Sequence, residues 1–166
     1  MTKKHPSEDF PLEDWNQIIQ VNLTGVFLFA QKAGKVMLDQ GQGSIINISS
    51  VASKQAITSS IAYGASKGGV NMLTKTFASE WANRGVRVNG IAPAYIETPL
   101  VKAIKDHRED FSNDILKRTP MNRMGEPREI VGAVIFLASD ASSYVTGETI
   151  FVDGGWTSIG LYKNKE

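Results

Sequence analysis

The sequence predicts an α/β fold in which helices flank a parallel sheet. Three short apolar runs, "SIINIS", "VRVNGIA" and "GETIFVDGG", read as strands, the first buried on both faces in the habit of parallel sheets and the second likewise buried. The longer segments between them carry a helical apolar period. Buried strands alternating with helices at this spacing argue right-handed crossovers onto one parallel sheet.

Each element has a local reason. Pro11 opens the first helix, with Glu13 and Asp14 in its first turn, where carboxylates suit the helix dipole. The apolar period continues through Trp15, Ile18, Ile19, Leu23, Phe27 and Ala30, so a helical segment is expected up to the stop at Gly41–Gly43. "SIINIS" follows as the first strand, then a polar loop, "SVASKQAITSS". The next helix is expected over 62–83, with Gly85 in a C-cap role. "VRVNGIA" is the second strand, closed by Pro93. The segment from Thr98 to Pro120 is polar, mixed in charge and weakly periodic. It reads as a long loop with one or two short helices, and such a loop in a compact domain is often a lid. "EPREIVGAVIFLAS" gives a further amphipathic helix entered through Pro127, and "GETIFVDGG" gives the third strand. The charged end "YKNKE" is expected to fray.

The 166 residues suit one domain, and 42% hydrophobic with 21% charged residues is ordinary for a globular protein. A net charge of +1, with Lys and Arg scattered, offers no field for nucleic acid or an anionic membrane. The absence of cysteine excludes disulfides and thiolate chemistry and fits a cytoplasmic location. No run approaches the ~18 apolar residues of a membrane span, and the opening residues do not read as a secretory signal. His5 and His107 lie far apart and read as surface histidines rather than metal ligands.

Chemistry concentrates at "IAYGASKGG". Tyr63 and Lys67 are at i and i+4, so they share one helix face. A free phenol titrates at about 10, and a neighbouring ammonium favours its ionised form. A phenol tuned in this way exchanges a proton with a substrate oxygen. The same spacing also suits an ordinary, partly exposed helix. Ser49 and Ser50 arrive at the C-terminal end of the first strand, where open parallel sheets bind ligands. Either hydroxyl suits the same substrate oxygen, or merely starts a turn. Asn22 lies in an otherwise apolar stretch and needs hydrogen-bond partners. It either breaks the helix locally and holds a water, or is a satisfied structural amide. "APAYIETP" brings Pro93 and Thr98 to the mouth of the lid.

Together these segments resemble the short-chain dehydrogenase/reductase family. "NLTG" at Asn22–Gly25 is similar to its Asn-x-x-Gly segment, "IINISS" to its serine strand and "YGASK" to its Tyr-x-x-x-Lys signature. "VRVNGIAPAYIETP" resembles the strand and loop that hold the nicotinamide, and "EPREIVGAVIFLASDASSYVTGETIFVDGG" the family's C-terminal end. Ser50 lies thirteen residues before Tyr63, the family's spacing for its catalytic serine, so the resemblance selects it over Ser49. The implied fold is the C-terminal half of a Rossmann-type parallel sheet. The implied roles are Tyr63 as general acid or base, and Lys67 as the cation that lowers the Tyr63 pKa and binds the nicotinamide ribose. Ser50 would orient the substrate oxygen, and Asn22 would hold a water that links Lys67 to solvent. Pro93, Ile96 and Thr98 would line the nicotinamide site of NAD or NADP.

The chain departs from the family in two places. Pro93-Ala94 stands where the family has Pro-Gly. The family's first strand, glycine-rich turn and helix, which grip the pyrophosphate, have no counterpart. Residues 1–166 are therefore expected to form a single catalytic half without its dinucleotide-binding half, meeting only the nicotinamide end of the cofactor and leaving "SIINIS" as an exposed edge strand.

The resemblance is strongest to members acting on sugar acids, such as gluconate 5-dehydrogenase and 2-deoxygluconate 3-dehydrogenase. It implies hydride transfer between NAD(P) and a hydroxyl or carbonyl of a sugar acid or similar small substrate. Lys102, Lys105, His107, Arg108 and Arg118 are candidates to meet a carboxylate, or are solvated lid charges. The alternatives are 3-oxoacyl carrier-protein reduction, a truncated and inactive oligomerising or interaction module, and a half that complements a separate chain. The resemblance also implies a homo-oligomer, a dimer or tetramer. One interface would use the Asn22 and Tyr63 helices and another the last helix and strand.

Overall fold

The computed structural model describes residues 1–99, 101 and 109–159. Lys102, Lys105, His107 and Arg108, and the charged end from Tyr162 to Glu166, lie outside the described residues. Three parallel strands form one sheet in the order β1-β2-β3, namely Gly43–Ile48, Val86–Pro93 and Thr149–Val152. β1 aligns Gly43 with Val86 through to Ile48 with Ile91, and β3 aligns Thr149 with Gly90 through to Val152 with Pro93. This register brings the C-terminal ends of β1 and β2 to one level, where Ser49 and Ser50 leave the sheet.

Helices α1 (Leu12–Ile19), α2 (Gly25–Gln40) and α3 (Ile61–Trp81) precede β2, while α4 (Glu109–Arg118) and α5 (Arg128–Ala138) lie between β2 and β3. The expected first helical segment is in fact two helices. A π-helical turn at Gln20–Thr24 separates α1 from α2. It falls where Asn22, 6% exposed, turns its amide inward, and an apolar period cannot register the extra residue.

The core beneath the sheet joins Ala30 of α2, Ile45 of β1, Phe77, Ala78 and Trp81 of α3, and Val86 and Val88 of β2. Phe77 and Trp81 stack with centroids 4.3 Å apart, and each buried side chain of this size contributes roughly 2–3 kcal/mol. α2 ends at Gly41 with φ 71°, and the turn after α3 ends at Gly85 with φ 83°. Gly85 also lies against the Gly41 carbonyl, leaving no room for a Cβ. On the other face, Arg87 Nη2 donates to the carbonyls of Leu137 at 3.0 Å and Ser139 at 3.3 Å, and Ser44 Oγ donates to Leu137 at 2.8 Å. Polar side chains of the strands thereby satisfy the orphan carbonyls at the end of α5.

Two further expectations need correction. The apolar run of β1 is not buried on both faces: Ile45 and Asn47 are buried, but Ile48 is 49% exposed because β1 has a strand neighbour on one side only, the exposed edge expected of it. β2, paired on both sides, does have the expected burial. His5 does not stand alone either, since its Nε2 lies 2.8 Å from Asp14 Oδ2, which Lys3 also engages. Among the described residues, no helix is long and apolar enough to cross a membrane.

Candidate active site

Tyr63 sits in the first turn of α3 and Lys67 one turn later. The Lys67 ammonium lies 5.9 Å from the centroid of the Tyr63 ring and donates to the Ile48 carbonyl at 2.9 Å. The end of β1 therefore fixes the cation beside the phenol. Burial pushes the Lys67 pKa below its ordinary value. Tyr63 Oη makes no hydrogen bond to a described residue, so the phenol is open to a ligand.

The two serines have different tasks. Ser49 Oγ donates to the Lys67 carbonyl at 3.2 Å and ties β1 to α3. Ser50 Oγ accepts from Ala52 N at 3.2 Å and caps the turn Val51–Ser53, leaving its own proton for another acceptor. Asn22 Nδ2 donates to Ser66 Oγ at 3.3 Å and to the Met1 carbonyl at 2.8 Å, and Asn22 Oδ1 accepts from the Met1 amino group at 3.1 Å. Ser66, fully buried, passes the link on by donating to the Tyr63 carbonyl at 2.7 Å.

Pro93 closes β2, paired with Val152. The Ile96 carbonyl accepts from Thr98 N at 2.8 Å, and Ile96 bridges to Gly125. Thr98 Oγ1 accepts from Val101 N at 3.3 Å, so its hydroxyl serves as a cap. Ala94 is not among the residues with positive φ, so its Cβ strains nothing at the Pro-Gly position. A cleft of about 380 Å³ at the ends of β2 and β3 is lined by Tyr95, Ile96, Met121, Asp153 and Glu129, among others, but not by Ser50, Tyr63 or Lys67.

Sequence reasoning missed three contributors. Ser66 lies inside "YGASK" between the two singled-out residues. Asn71, at i+4 from Lys67, donates to Ser53 Oγ at 2.8 Å, and the i, i+4, i+8 spacing carried that signal. Tyr95 packs edge-on against Trp156 at 5.1 Å, a contact across distant parts of the chain with no local signal.

The arrangement places a phenol, an ammonium and a serine hydroxyl at the C-terminal edge of a parallel sheet. A family model described as enoyl-(acyl carrier protein) reductase, of the short-chain dehydrogenase type, matches residues 1–157. The chain belongs to the short-chain dehydrogenase/reductase family. This short-chain dehydrogenase chain is 49% identical over 155 residues to 2-dehydro-3-deoxy-D-gluconate 5-dehydrogenase of Bacillus subtilis, which covers 93% of this chain and 61% of that protein. It is 43% identical over 153 residues to 5-keto-D-gluconate 5-reductase of Escherichia coli K12, covering 92% of this chain and 60% of the relative. A crystal structure of a gluconate 5-dehydrogenase from Burkholderia cenocepacia, in complex with NADP and tartrate, superposes with a TM-score of 0.92 at 46% identity, over 96% of this chain and 62% of that one. The chain thus spans about 60% of the length of these curated relatives.

Proposed function

We propose that the chain carries the catalytic residues of an NAD(P)-dependent oxidoreductase that interconverts a hydroxyl and a carbonyl on a sugar acid or similar small substrate. The observation that carries this reading is the Lys67 ammonium, held by the Ile48 carbonyl 5.9 Å from the Tyr63 ring. The similarity to sugar-acid dehydrogenases supports the substrate class.

The donor set fits the nicotinamide end of the cofactor. Lys67 uses one of its three N–H donors on Ile48, which leaves two for ribose hydroxyls. Tyr63 and Lys67 would hold that ribose, with Pro93, Ile96 and Thr98 lining the ring. When bound, the cofactor supplies the hydride acceptor or donor. In the oxidation direction, Tyr63 accepts the hydroxyl proton of the substrate, and in reduction it returns a proton to the carbonyl oxygen. Ser50 donates its remaining proton to that same oxygen and fixes its position. Lys67 places positive charge where the phenol gains negative charge. Asn22 and Ser66 brace the α3 backbone at Tyr63.

A homo-oligomer belongs to the same proposal. Phe29 of α2 is 80% exposed and Ile135 of α5 is 62% exposed, beside other apolar residues on those helices. Water-exposed apolar faces of this kind suit subunit contacts.

The test follows NADPH oxidation with 5-ketogluconate. Tyr63→Phe is expected to lower kcat by about 10²–10⁴-fold, the range of general acid–base catalysis, while NADPH binding followed by nucleotide fluorescence persists. Lys67→Ala is expected to weaken that binding. Turnover that survives Tyr63→Phe unchanged would overturn the assignment.

A further inference from the structure

Trp156 is 5% exposed and anchors a second apolar cluster with Val51, Ile115 and Met124. Val51 follows Ser50 directly, so this cluster abuts the serine turn. Two groups lie on the indole. The Tyr95 ring meets it at 5.1 Å and 61°, and the Arg118 guanidinium carbon lies 4.7 Å from its centroid. Arg118 follows Ile115 by one turn at the end of α4, and Ile115, 2% exposed, is the apolar peg that sets the facing of that turn.

Arg118 forms no ion pair or hydrogen bond with a described residue. That distinguishes it from Arg123 and Arg128, which are paired with Glu129 and Glu126. A guanidinium over an indole face gains cation–π attraction, and its N–H donors, which no described residue takes, are left to meet a planar oxyanion. Tyr95 reports the neighbourhood. Burial raises its pKa, the Arg118 charge lowers it and Tyr63 raises it, so Tyr95 lies within electrostatic reach of both the guanidinium and the candidate catalytic phenol.

We propose that Arg118, seated over the Trp156 ring beside the serine turn, receives the carboxylate of the substrate through guanidinium donors that no described residue takes and so selects acidic over neutral polyols. This rests on the oxidoreductase reading for its substrate class, but not on turnover for its test. Carboxylate and guanidinium would pair in the bidentate manner that favours Arg over Lys. The charge sits at one end of the substrate and the reacting carbon at Tyr63, which orients a linear sugar acid along the site.

The test uses the intrinsic tryptophan fluorescence of the full chain, with NADP present. Gluconate is titrated against sorbitol, its neutral six-carbon counterpart, and Trp156→Phe assigns the signal. Gluconate is expected to saturate and sorbitol to bind at least tenfold more weakly. Arg118→Gln is expected to weaken gluconate roughly 10–100-fold, as for the loss of a charge-assisted pair, and to leave sorbitol unchanged. Arg118→Lys is expected to recover part of the loss. Tyr63→Phe removes one hydrogen bond to the substrate oxygen and is expected to weaken gluconate less than about tenfold while the preference over sorbitol stays, so failure of the catalytic reading and failure of this one give different results. Gluconate affinity unchanged in Arg118→Gln, equal affinity for sorbitol, or no gluconate binding by the folded wild-type chain each overturns the proposal.

Discussion

Asn71 donates its amide to Ser53 Oγ at 2.8 Å, and Ser53 Oγ in turn donates to the Ser50 carbonyl at 2.6 Å. The helix that carries Tyr63 and Lys67 thus also holds the serine turn. Asn71→Leu is expected to raise amide exchange at Ser53 and Lys54 by roughly fivefold, the equivalent of one net hydrogen bond. Global stability should move little, because the change also removes the buried Asn71 Oδ1, which has no partner. Exchange rates at Ser53 and Lys54 equal to wild type would break this link.

Gly34 sets the distance between α2 and α3. A Cβ there would lie 2.5 Å from two ring carbons of Trp81, and the ring cannot withdraw because Phe77 stacks on it. Gly34→Ala is expected to cost about 1–3 kcal/mol, seen as a lower urea midpoint at unchanged m. An unchanged midpoint would show that the helices separate freely.

Lys67 is expected to titrate below 10.5, because burial disfavours its charge. Its folded value is depressed, so the folded state binds this proton less well than the unfolded chain. This group's contribution to stability therefore rises as pH climbs from the folded value towards 10.5. NMR of ¹³C-methylated lysines reads the midpoint directly, and a value at or above that of the other lysines contradicts the burial argument.

Glu129 is expected to stay ionised far into acid. The Arg123 guanidinium, bonded to both carboxylate oxygens, and then the Glu126 N–H lower its pKa from 4.5 to about 2. Any stability it contributes is present above 4.5 and lost as pH falls towards about 2. Carboxyl ¹³C shifts of wild type and Arg123→Gln check this, the variant titrating nearer 4.5.

Phe29→Glu and Ile135→Glu are each expected to lower the sedimentation coefficient, because each puts a charge into an exposed apolar face. Two faces predict two distinct intermediate assemblies. Identical sedimentation of both variants and wild type would show that neither face is an interface.

Most of the fold was legible in the residues because local signals and packing agreed. "VRVNGIA" became β2, buried on both faces, and Gly85 took the left-handed conformation expected of a C-cap. The helix break at Asn22 was only half visible: the polar residue marked the place, but the apolar period ran straight through it. The apolar run of β1 suggested burial on both faces, but its burial depends on its neighbours, and it has the exposed edge expected where the family's adjoining strand is lacking. At the candidate site, the Tyr63–Lys67 spacing was plain. The Thr98 cap, the Asn22 contacts with Met1 and Ser66, and the Tyr95–Trp156–Arg118 cluster were not, since each joins residues that only the folded chain brings together.

The π turn at Gln20–Thr24 makes this segment a spacer whose length matters more than its composition. One residue of α-helix corresponds to about 100° of rotation. The π turn takes up one extra residue, so removing a single residue restores a regular helix with α2 near its present phase, whereas removing two swings α2 round by about that angle relative to α1. Phe27 and Ala30 would then leave the Phe77 and Trp81 surface, and Leu28 and Gln31 would take their place. Substitutions at exposed Gln20 or Val21 keep the phase, and a one-codon deletion there is absorbed, whereas a two-codon deletion misaligns two helices at once.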